Sequence, residues 1–184
     1  TLNGEYYNGT YTTGALKNDS TRNAIESVVW NLGGTASYTS ASNGLASHWY
    51  GYERGTTVYT DRPTTWTGKI ALMYPSDYGY ATAGGTTTNR ESCLAKELYN
   101  WDGSGVSDCK NNDYLFKSAY TQWTLAPDSS TSLDAFIVGT EGYVSYSSVG
   151  NTRGVRPAAF LKSNISITDV GIGTAESPFQ LKVG

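Results

Sequence analysis

Charge is scarce in this sequence. Only 16% of its 184 residues are ionisable at the extremes of the scale, and the thirteen Lys and Arg are scattered, leaving a net charge of -3. Gripping a phosphate backbone needs clustered cations, so nucleic acid is not expected as a partner. No apolar run approaches the roughly 20 residues needed to cross a bilayer, and no membrane contact by this segment is expected. Nor does a signal-like segment open the chain at Thr1-Leu2-Asn3-Gly4. That leaves an intracellular soluble protein, or one whose leader or anchor has been removed.

The chemistry-bearing residues are equally few. His48 is the only histidine, and no serine has a Gly-x-Ser-x-Gly context, so a His-dependent triad has little to build on. With Trp49, Tyr50 and Tyr52 around it, His48 reads as a packing or surface residue. One His and two Cys cannot make a four-ligand structural zinc site without carboxylates. Gly84-Gly85 lacks the Lys and helix of a phosphate cradle. Asp77, Asp134 and Glu141 are the carboxylates a hydrolase would have to pair, and nothing in the sequence brings them together. Asp102-Gly103-Ser104-Gly105 and Asp108-Cys109-Lys110-Asn111-Asn112-Asp113 collect hard oxygen ligands, which makes calcium conceivable. Neither segment has EF-hand spacing, and both read as solvated turns. The sequence therefore points away from an enzyme and requires no cofactor.

What is abundant is Gly (21), Tyr (15), Ser and Thr, while the helix formers Glu, Lys and Leu are sparse. Such a mixture supplies turns and half-buried pleated surfaces, and the expected class is α+β with extensive loops. The length suits a single domain at 35–184 with a small helical lead-in at 1–34 packed on it. Cys93 and Cys109 bracket the turn-rich Trp101-Asp102-Gly103-Ser104-Gly105. In a chain so low in charge they read as a disulfide of an extracellular protein rather than as two reduced thiols, and the bridge would stabilise by about 3 kcal/mol.

Along the chain, a short helical turn near Tyr6-Tyr7 precedes a helix capped by Asp19 or Ser20. Ile25, Val28 and Val29 recur on it at helical spacing, and Gly33-Gly34 stops it. Residues 35–65 read as loop with a strand near Thr57-Val58-Tyr59. Trp66 to Tyr74 reads as one buried strand ended by Pro75. Residues 90–100 read as a short helix turning Leu94, Leu98 and Tyr99 inward. Trp123 to Pro127 is a strand; Ala135 to Val138, Thr140-Glu141-Gly142 and Tyr143 to Tyr146 make a hairpin. Val155 to Leu161 is a further strand. Ile165 to Thr168 alternates, and Pro178 to Leu181 closes the domain.

Trp123-Thr124-Leu125-Ala126-Pro127, then Gly142-Tyr143-Val144, then Gly154-Val155-Arg156-Pro157-Ala158, taken in order, resemble bacterial C-type-lectin-like domains. The likeness is to the branch related to formylglycine-generating enzyme, which includes surface proteins and the variable proteins of diversity-generating retroelements. It covers roughly residues 66–162, and the tail is similar to that of surface proteins, some of them with pilin-like N-terminal helices. The resemblance implies a twisted antiparallel sheet with one or two flanking helices. Cys93 and Cys109 precede Trp123 on a loop closure, which does not match the paired active-site cysteines of the enzymes in that branch. Arg156, between apolar residues and before a proline, is expected to be partly buried against a carboxylate or backbone carbonyls. Trp123 and Pro157 are expected to be structural too, and Gly154 to allow a tight turn.

In that family the segment between the tryptophan and Arg-Pro strands forms a presented face. Here it carries Asp128, Ser129, Thr131, Asp134, Tyr143, Ser145, Tyr146, Ser148, Asn151 and Arg153. Tyr brings large contact area at low entropic cost, and Ser and Asn bring adaptable hydrogen bonds, the chemistry of binding loops. The expectation is a cell-surface or filament-displayed adhesion protein that takes a protein or glycan ligand. Its alternatives are a pilus-like structural subunit packing against other copies of itself, and an enzyme with an unrecognised site.

Overall fold

The computed structural model describes residues 1–10, 16, 18–103, 106, 108–110, 115–174 and 176–184. A π-helical turn at Leu2–Tyr6 is followed by α1 (Asp19–Asn23), β1 (Val28–Asn31), α2 (Ala46–Glu53), β2 (Thr65–Gly68) and β3 (Ala71–Leu72). Next come α3 (Pro75–Tyr80), α4 (Arg90–Leu94) and a 3-10 turn at Leu98–Asn100. The remainder is strand: β4 (Gln122–Pro127), β5 (Asp134–Val138), β6 (Val144–Ser148), β7 (Pro157–Ala158), β8 (Ile165–Ile167) and β9 (Leu181–Val183). Short helices and antiparallel strands joined by long loops make the chain α+β.

Two compact units form. One gathers Thr1–Val28, Thr67–Ala71 and Ala158–Gly184; the other comprises Val29–Trp66 and Leu72–Pro157. The division does not fall once near residue 34, because the C-terminal tail returns to the N-terminal segment. Glu26 N–H donates to the Phe160 carbonyl at 2.8 Å and Lys162 N–H to that of Ala24 at 2.9 Å.

The smaller unit corrects two expectations. The helix read through Trp30 stops at Asn23, and Val28-Val29 open a strand instead, since β-branched side chains fit a pleat better than a helix. The strand read from Trp66 to Tyr74 is interrupted at Lys69-Ile70. Asn3 Oδ1 accepts both of their N–H groups, at 3.0 and 2.9 Å, and its Nδ2 donates to the Ile70 carbonyl at 2.6 Å, so a side chain takes the bonds a neighbouring strand would use.

The larger unit is organised by the antiparallel sheet β4-β5-β6. Its β5–β6 hairpin runs in unbroken register from Asp134 opposite Ser148 to Val138 opposite Val144. Strand β4 alternates strictly, with Gln122, Thr124 and Ala126 buried and Trp123, Leu125 and Pro127 half-buried. Two of the three inward residues are polar, and each is satisfied. Thr124 donates to the Phe136 carbonyl at 2.9 Å. Gln122 donates to the Leu115 carbonyl and accepts from Arg156.

Against this sheet lies an aromatic core. Phe136 meets Trp49 edge-on at 4.6 Å between ring centroids and Tyr38 at 5.0 Å, while Tyr78 packs on Trp101 at 5.3 Å. Leu98 is fully buried among them as expected, Leu94 is half-buried and Tyr99 is exposed. The Cys93–Cys109 disulfide forms and lies entirely in this core, with the Cα atoms 5.5 Å apart. Helix α2 replaces the loop expected there and presents Ala46, Trp49 and Glu53 inward. The strand expected near Thr57-Tyr59 does not form. The strand expected from Val155 to Leu161 shrinks to Pro157–Ala158.

Candidate ligand-binding surface

The presented segment folds by its own side chains. Asp128 Oδ1 accepts the Ser130 N–H at 2.7 Å and the Ser130 hydroxyl at 2.6 Å, an Asx-type turn. Thr131 Oγ1 accepts the Leu133 N–H at 3.1 Å, and Asp128 N–H reaches the Asp134 carbonyl at 3.2 Å to close the loop. Asp128 is thereby drawn inward and buried rather than displayed. Ser129, half-buried, donates its N–H to the Thr35 carbonyl at 3.3 Å.

This loop forms one wall of a cleft of about 390 Å³, to which Asp128, Thr131, Ser132 and Asp134 contribute their polarity and Leu125, Pro127, Ala135 and Val149 an apolar base. The rest of the lining is Leu32, Val58, Tyr59, Arg62 and Pro63. Arg62 is set by a turn in which its N–H donates to the Tyr59 carbonyl at 3.0 Å. Asp61 takes the left-handed conformation there (φ 63°), which Asp tolerates better than most residues. Glycines allow close backbone approach beside the cleft. A Cβ on Gly34 would stand 2.0 Å from the Pro127 carbonyl oxygen, and one on Gly33 2.2 Å from that of Tyr52. The Gly-Gly pair is thus a packing requirement, not a helix stop.

Asp134 is half-buried and its carboxylate accepts no hydrogen bond from the described residues, while Arg62 is exposed without an ion pair among them. The cleft lining therefore includes a carboxylate, Asp134, and a cation, Arg62, together with the aromatic ring of Tyr59. A ligand carrying complementary polar groups around an apolar body suits such a lining.

A second, polar cleft of about 460 Å³ is lined by Tyr99, Asn100, Asp102, Tyr143 and Ser145. Beneath it Tyr38 is a hub. Its ring lies 5.7 Å from Tyr99 and 6.2 Å from Tyr146, edge-on to both, and its hydroxyl is 3.4 Å from Ser145 Oγ. Burial pushes the Tyr38 hydroxyl above the ordinary phenol range. Tyr143 packs over Gly139, where a Cβ would come within 2.9 Å of its ring.

The remaining expected residues gather elsewhere. Asn151 Nδ2 donates to Ser147 Oγ at 3.2 Å and Arg153 Nη2 to the same oxygen at 3.2 Å, so these two fold back on β6. Ser148 is exposed beside them. Of the ten expected residues, Asp128, Thr131 and Asp134 line the first cleft and Tyr143 and Ser145 the second, while five of the thirteen residues lining the first cleft come from residues 32–63. Tyr59-Thr60-Asp61-Arg62-Pro63 carried the signal, a turn-prone Asp before a proline, but the apolar Val58-Tyr59 resembled a strand.

Arg156 is half-buried, and its Nε donates to Gln122 Oε1 at 3.0 Å. The partner is a buried amide, not the carboxylate or backbone carbonyl expected. Gly154 has no left-handed backbone. What demands glycine is Tyr120, whose ring would lie 2.4 Å from an added Cβ, while Gly154 exchanges backbone hydrogen bonds with Thr121 and Trp123. Trp123 is half-buried, and Pro157 begins β7.

The other candidate groups are structurally engaged. Asp77 Oδ2 accepts the Tyr74 N–H at the start of α3, and Asp134 and Glu141 lie on other elements, the start of β5 and the β5–β6 turn. Asp108 Oδ2 accepts the Thr87 N–H and hydroxyl, each at 2.8 Å, which holds its carboxyl down at about 2. Ser104, Gly105, Asn111, Asn112 and Asp113 of the two oxygen-rich segments lie outside the described residues, and among the described residues no cluster of His, Cys, Asp or Glu is placed to hold a metal. His48 is half-buried on α2. No helix of the described residues is long and apolar enough to cross a membrane. No family model, curated protein or solved structure matches the chain.

Proposed function

We propose that the chain is an extracellular binding module, with a C-type-lectin-like scaffold in its larger unit, that takes a protein or glycan ligand in the cleft between the 128–134 loop and the Tyr59–Pro63 turn. The observation that carries this reading is the cleft itself, whose lining joins Asp134 and Arg62 to Thr131, Ser132 and Tyr59 and to the apolar Leu32, Val58 and Leu125. The lectin-type scaffold is supported by the β5–β6 hairpin between the tryptophan strand and Arg156, and by the engagement of Arg156 with a buried amide. The disulfide supports an oxidising compartment.

The test is a screen of the full chain against an immobilised glycan panel and a displayed peptide library, repeated with Tyr59→Ala and Asp134→Ala. The expected result is a binder whose affinity falls at least about tenfold in each variant. Absence of any binder, or a binder indifferent to both substitutions, overturns the reading.

A further inference from the structure

The polar cleft of the larger unit is built from outward residues set between buried anchors. Leu98 and Trp101 are fully buried, and between and beside them Tyr99, Asn100 and Asp102 are exposed. Backbone bonds hold this turn: Leu98 N–H donates to the Gly44 carbonyl and Asn100 N–H to that of Glu97, each at 2.9 Å. Tyr143 and Ser145 complete the lining. The turn before them is fixed by Gly139 N–H, which donates to the Tyr143 carbonyl at 2.9 Å, and by the buried Tyr78 hydroxyl, which donates to that of Gly142 at 2.7 Å. A site held this way is formed before a ligand arrives, which spares much of the ordering cost of binding.

Its chemistry is one-sided. Among the described residues the lining consists of one carboxylate, one amide, one aliphatic hydroxyl and two phenol rings, with no cation and no aliphatic side chain. No Lys, Arg or His occurs from Glu97 to Cys109 or from Gly139 to Ser148, whereas Glu97, Asp102, Asp108 and Glu141 do. Asp102 is in no ion pair among the described residues. Glu97 accepts from Asn100 Nδ2 at 3.1 Å, a bond that holds its carboxyl below the ordinary range and keeps it charged. Lys110 lies against Gly142, but its ammonium donates to the Glu141 carbonyl at 3.1 Å and is not part of the lining. Elsewhere the chain sets its own cations on aromatic rings: Arg54 lies 3.5 Å from the Tyr50 ring centre and Lys69 4.6 Å from that of Tyr7. Among the described residues no cation covers Tyr99 or Tyr143 in this way.

An anion is repelled by such a lining, and an apolar body finds no aliphatic floor in it. A cation finds both rings and a carboxylate. An ammonium is compact and strongly hydrated, and a cleft of exposed residues repays little of that hydration. A guanidinium is planar and more weakly hydrated, stacks on aromatic faces and meets a carboxylate through two N–H groups at once. We infer that this cleft takes a guanidinium group, stacked on Tyr99 and paired with Asp102. Asn100 turns its Nδ2 to Glu97 and keeps Oδ1, beside Ser145 Oγ, as an acceptor for the remaining N–H groups. The site is separate from the cleft lined by Tyr59 and Asp134 and does not depend on it.

Titration of the full chain with Nα-acetyl-arginine amide, followed by NMR at the Asn100, Gly103 and Ser145 amides, tests this. The comparison ligands are the citrulline analogue, which keeps the shape without the charge, and the lysine analogue. The expected result is a set of saturable shifts with a Kd of about 10 mM or tighter for arginine, and binding at least about threefold weaker for the other two. Asp102→Asn and Tyr99→Leu should each weaken arginine at least about threefold, while Asp169→Asn, which removes a charge from the smaller unit, leaves it unchanged. Methylguanidine and an acetyl-Gly-Arg-Gly amide then separate two sources. Equal affinities point to a free guanidinium compound and a tighter peptide to an arginine of a partner protein, and both results support the site. No saturable shift, citrulline or lysine bound as tightly as arginine, or binding indifferent to both cleft substitutions overturns the proposal. The ligand comparison uses the unmodified chain, so it decides the matter even where a variant fails to fold. None of these outcomes bears on the first cleft, so the two readings fail separately.

Discussion

Sixteen apolar residues are buried in the larger unit and four (Ala24, Ile25, Ile70 and Ala71) in the smaller, among the described residues. The large apolar residues left exposed also differ in kind. Of eleven in the larger unit, six are Tyr and one is Trp; all eight in the smaller unit are aliphatic or Phe. Tyr and Trp present an apolar body with a polar handle and rest comfortably at a wet binding surface. Leu, Ile, Val and Phe have no such handle and are better hidden. The larger unit thus exposes mostly apolar side chains that carry a polar handle, and the smaller one only side chains without it.

The contrast breaks first at the core. Phe136 is fully buried between Trp49 and Tyr38, and Phe136→Ala removes a ring that its rigid aromatic neighbours cannot replace. A loss of about 4 kcal/mol is expected on thermal or denaturant unfolding. A loss below about 1 kcal/mol would mean that the aromatic cluster is not the stabilising core. Reducing the disulfide comes next. The bridge joins Cys93 to Cys109, sixteen positions apart, and opening it should cost about 3 kcal/mol, seen as a lowered unfolding midpoint in reductant that the double Ser variant reproduces. If the midpoint is unmoved, the bridge does not stabilise the fold.

How far the sequence announced this arrangement depends on where each element finds its stabilisation. Strands β4 to β6 were legible because their alternation, the proline after Ala126 and the Gly142 turn are local signals, and the Cys93–Cys109 bridge was legible from its loop. Helix α2 was hidden. It is eight residues long, contains Gly51, and holds its place through Trp49 and Glu53, whose partners Phe136 and Ser76 are far away in sequence. The strand Trp66–Tyr74 was misread because Asn3, more than sixty residues earlier, takes its hydrogen bonds. For the site, the 128–134 loop could be seen and the Tyr59–Pro63 wall could not, since nothing local ties a turn to the sheet edge it will face. The inward turn of Asp128 likewise follows from Ser130 hydrogen bonds that compete with display.

Glu53 sharpens the comparison through pH. It is fully buried, accepts the Ser76 N–H at 2.8 Å and the Ser76 hydroxyl, and has Arg54 Nη1 at 3.2 Å. Burial outweighs these bonds and raises its carboxyl from the ordinary 4.5 to about 7. The folded state therefore holds the proton more tightly than the unfolded chain does. That contribution is fully present below about pH 4.5 and is lost as pH rises through about 7, so the larger unit should weaken by about 2 kcal/mol between about pH 5 and pH 8. Glu53→Gln should flatten this slope. A variant that keeps the full pH dependence would place the titrating group elsewhere.

The smallest expected effect is the most pointed. Ile172 is 75% exposed, flanked by Gly171 and Gly173 in left-handed conformations, and held by its N–H, which donates to the Ser177 carbonyl at 2.9 Å. Its side chain supports no core, so in dilute solution Ile172→Ser should move the unfolding midpoint by less than about 0.5 kcal/mol. The same substitution at Phe136, another large apolar residue, should be ruinous, because the cost is set by what the side chain touches and not by its hydrophobicity alone. If Ile172→Ser costs more than about 1 kcal/mol at concentrations where the chain is monomeric, that side chain is already covered by its own molecule. The division into one unit whose exposed apolar residues are mostly Tyr and Trp and one that exposes only aliphatic residues and Phe then fails at its most exposed point.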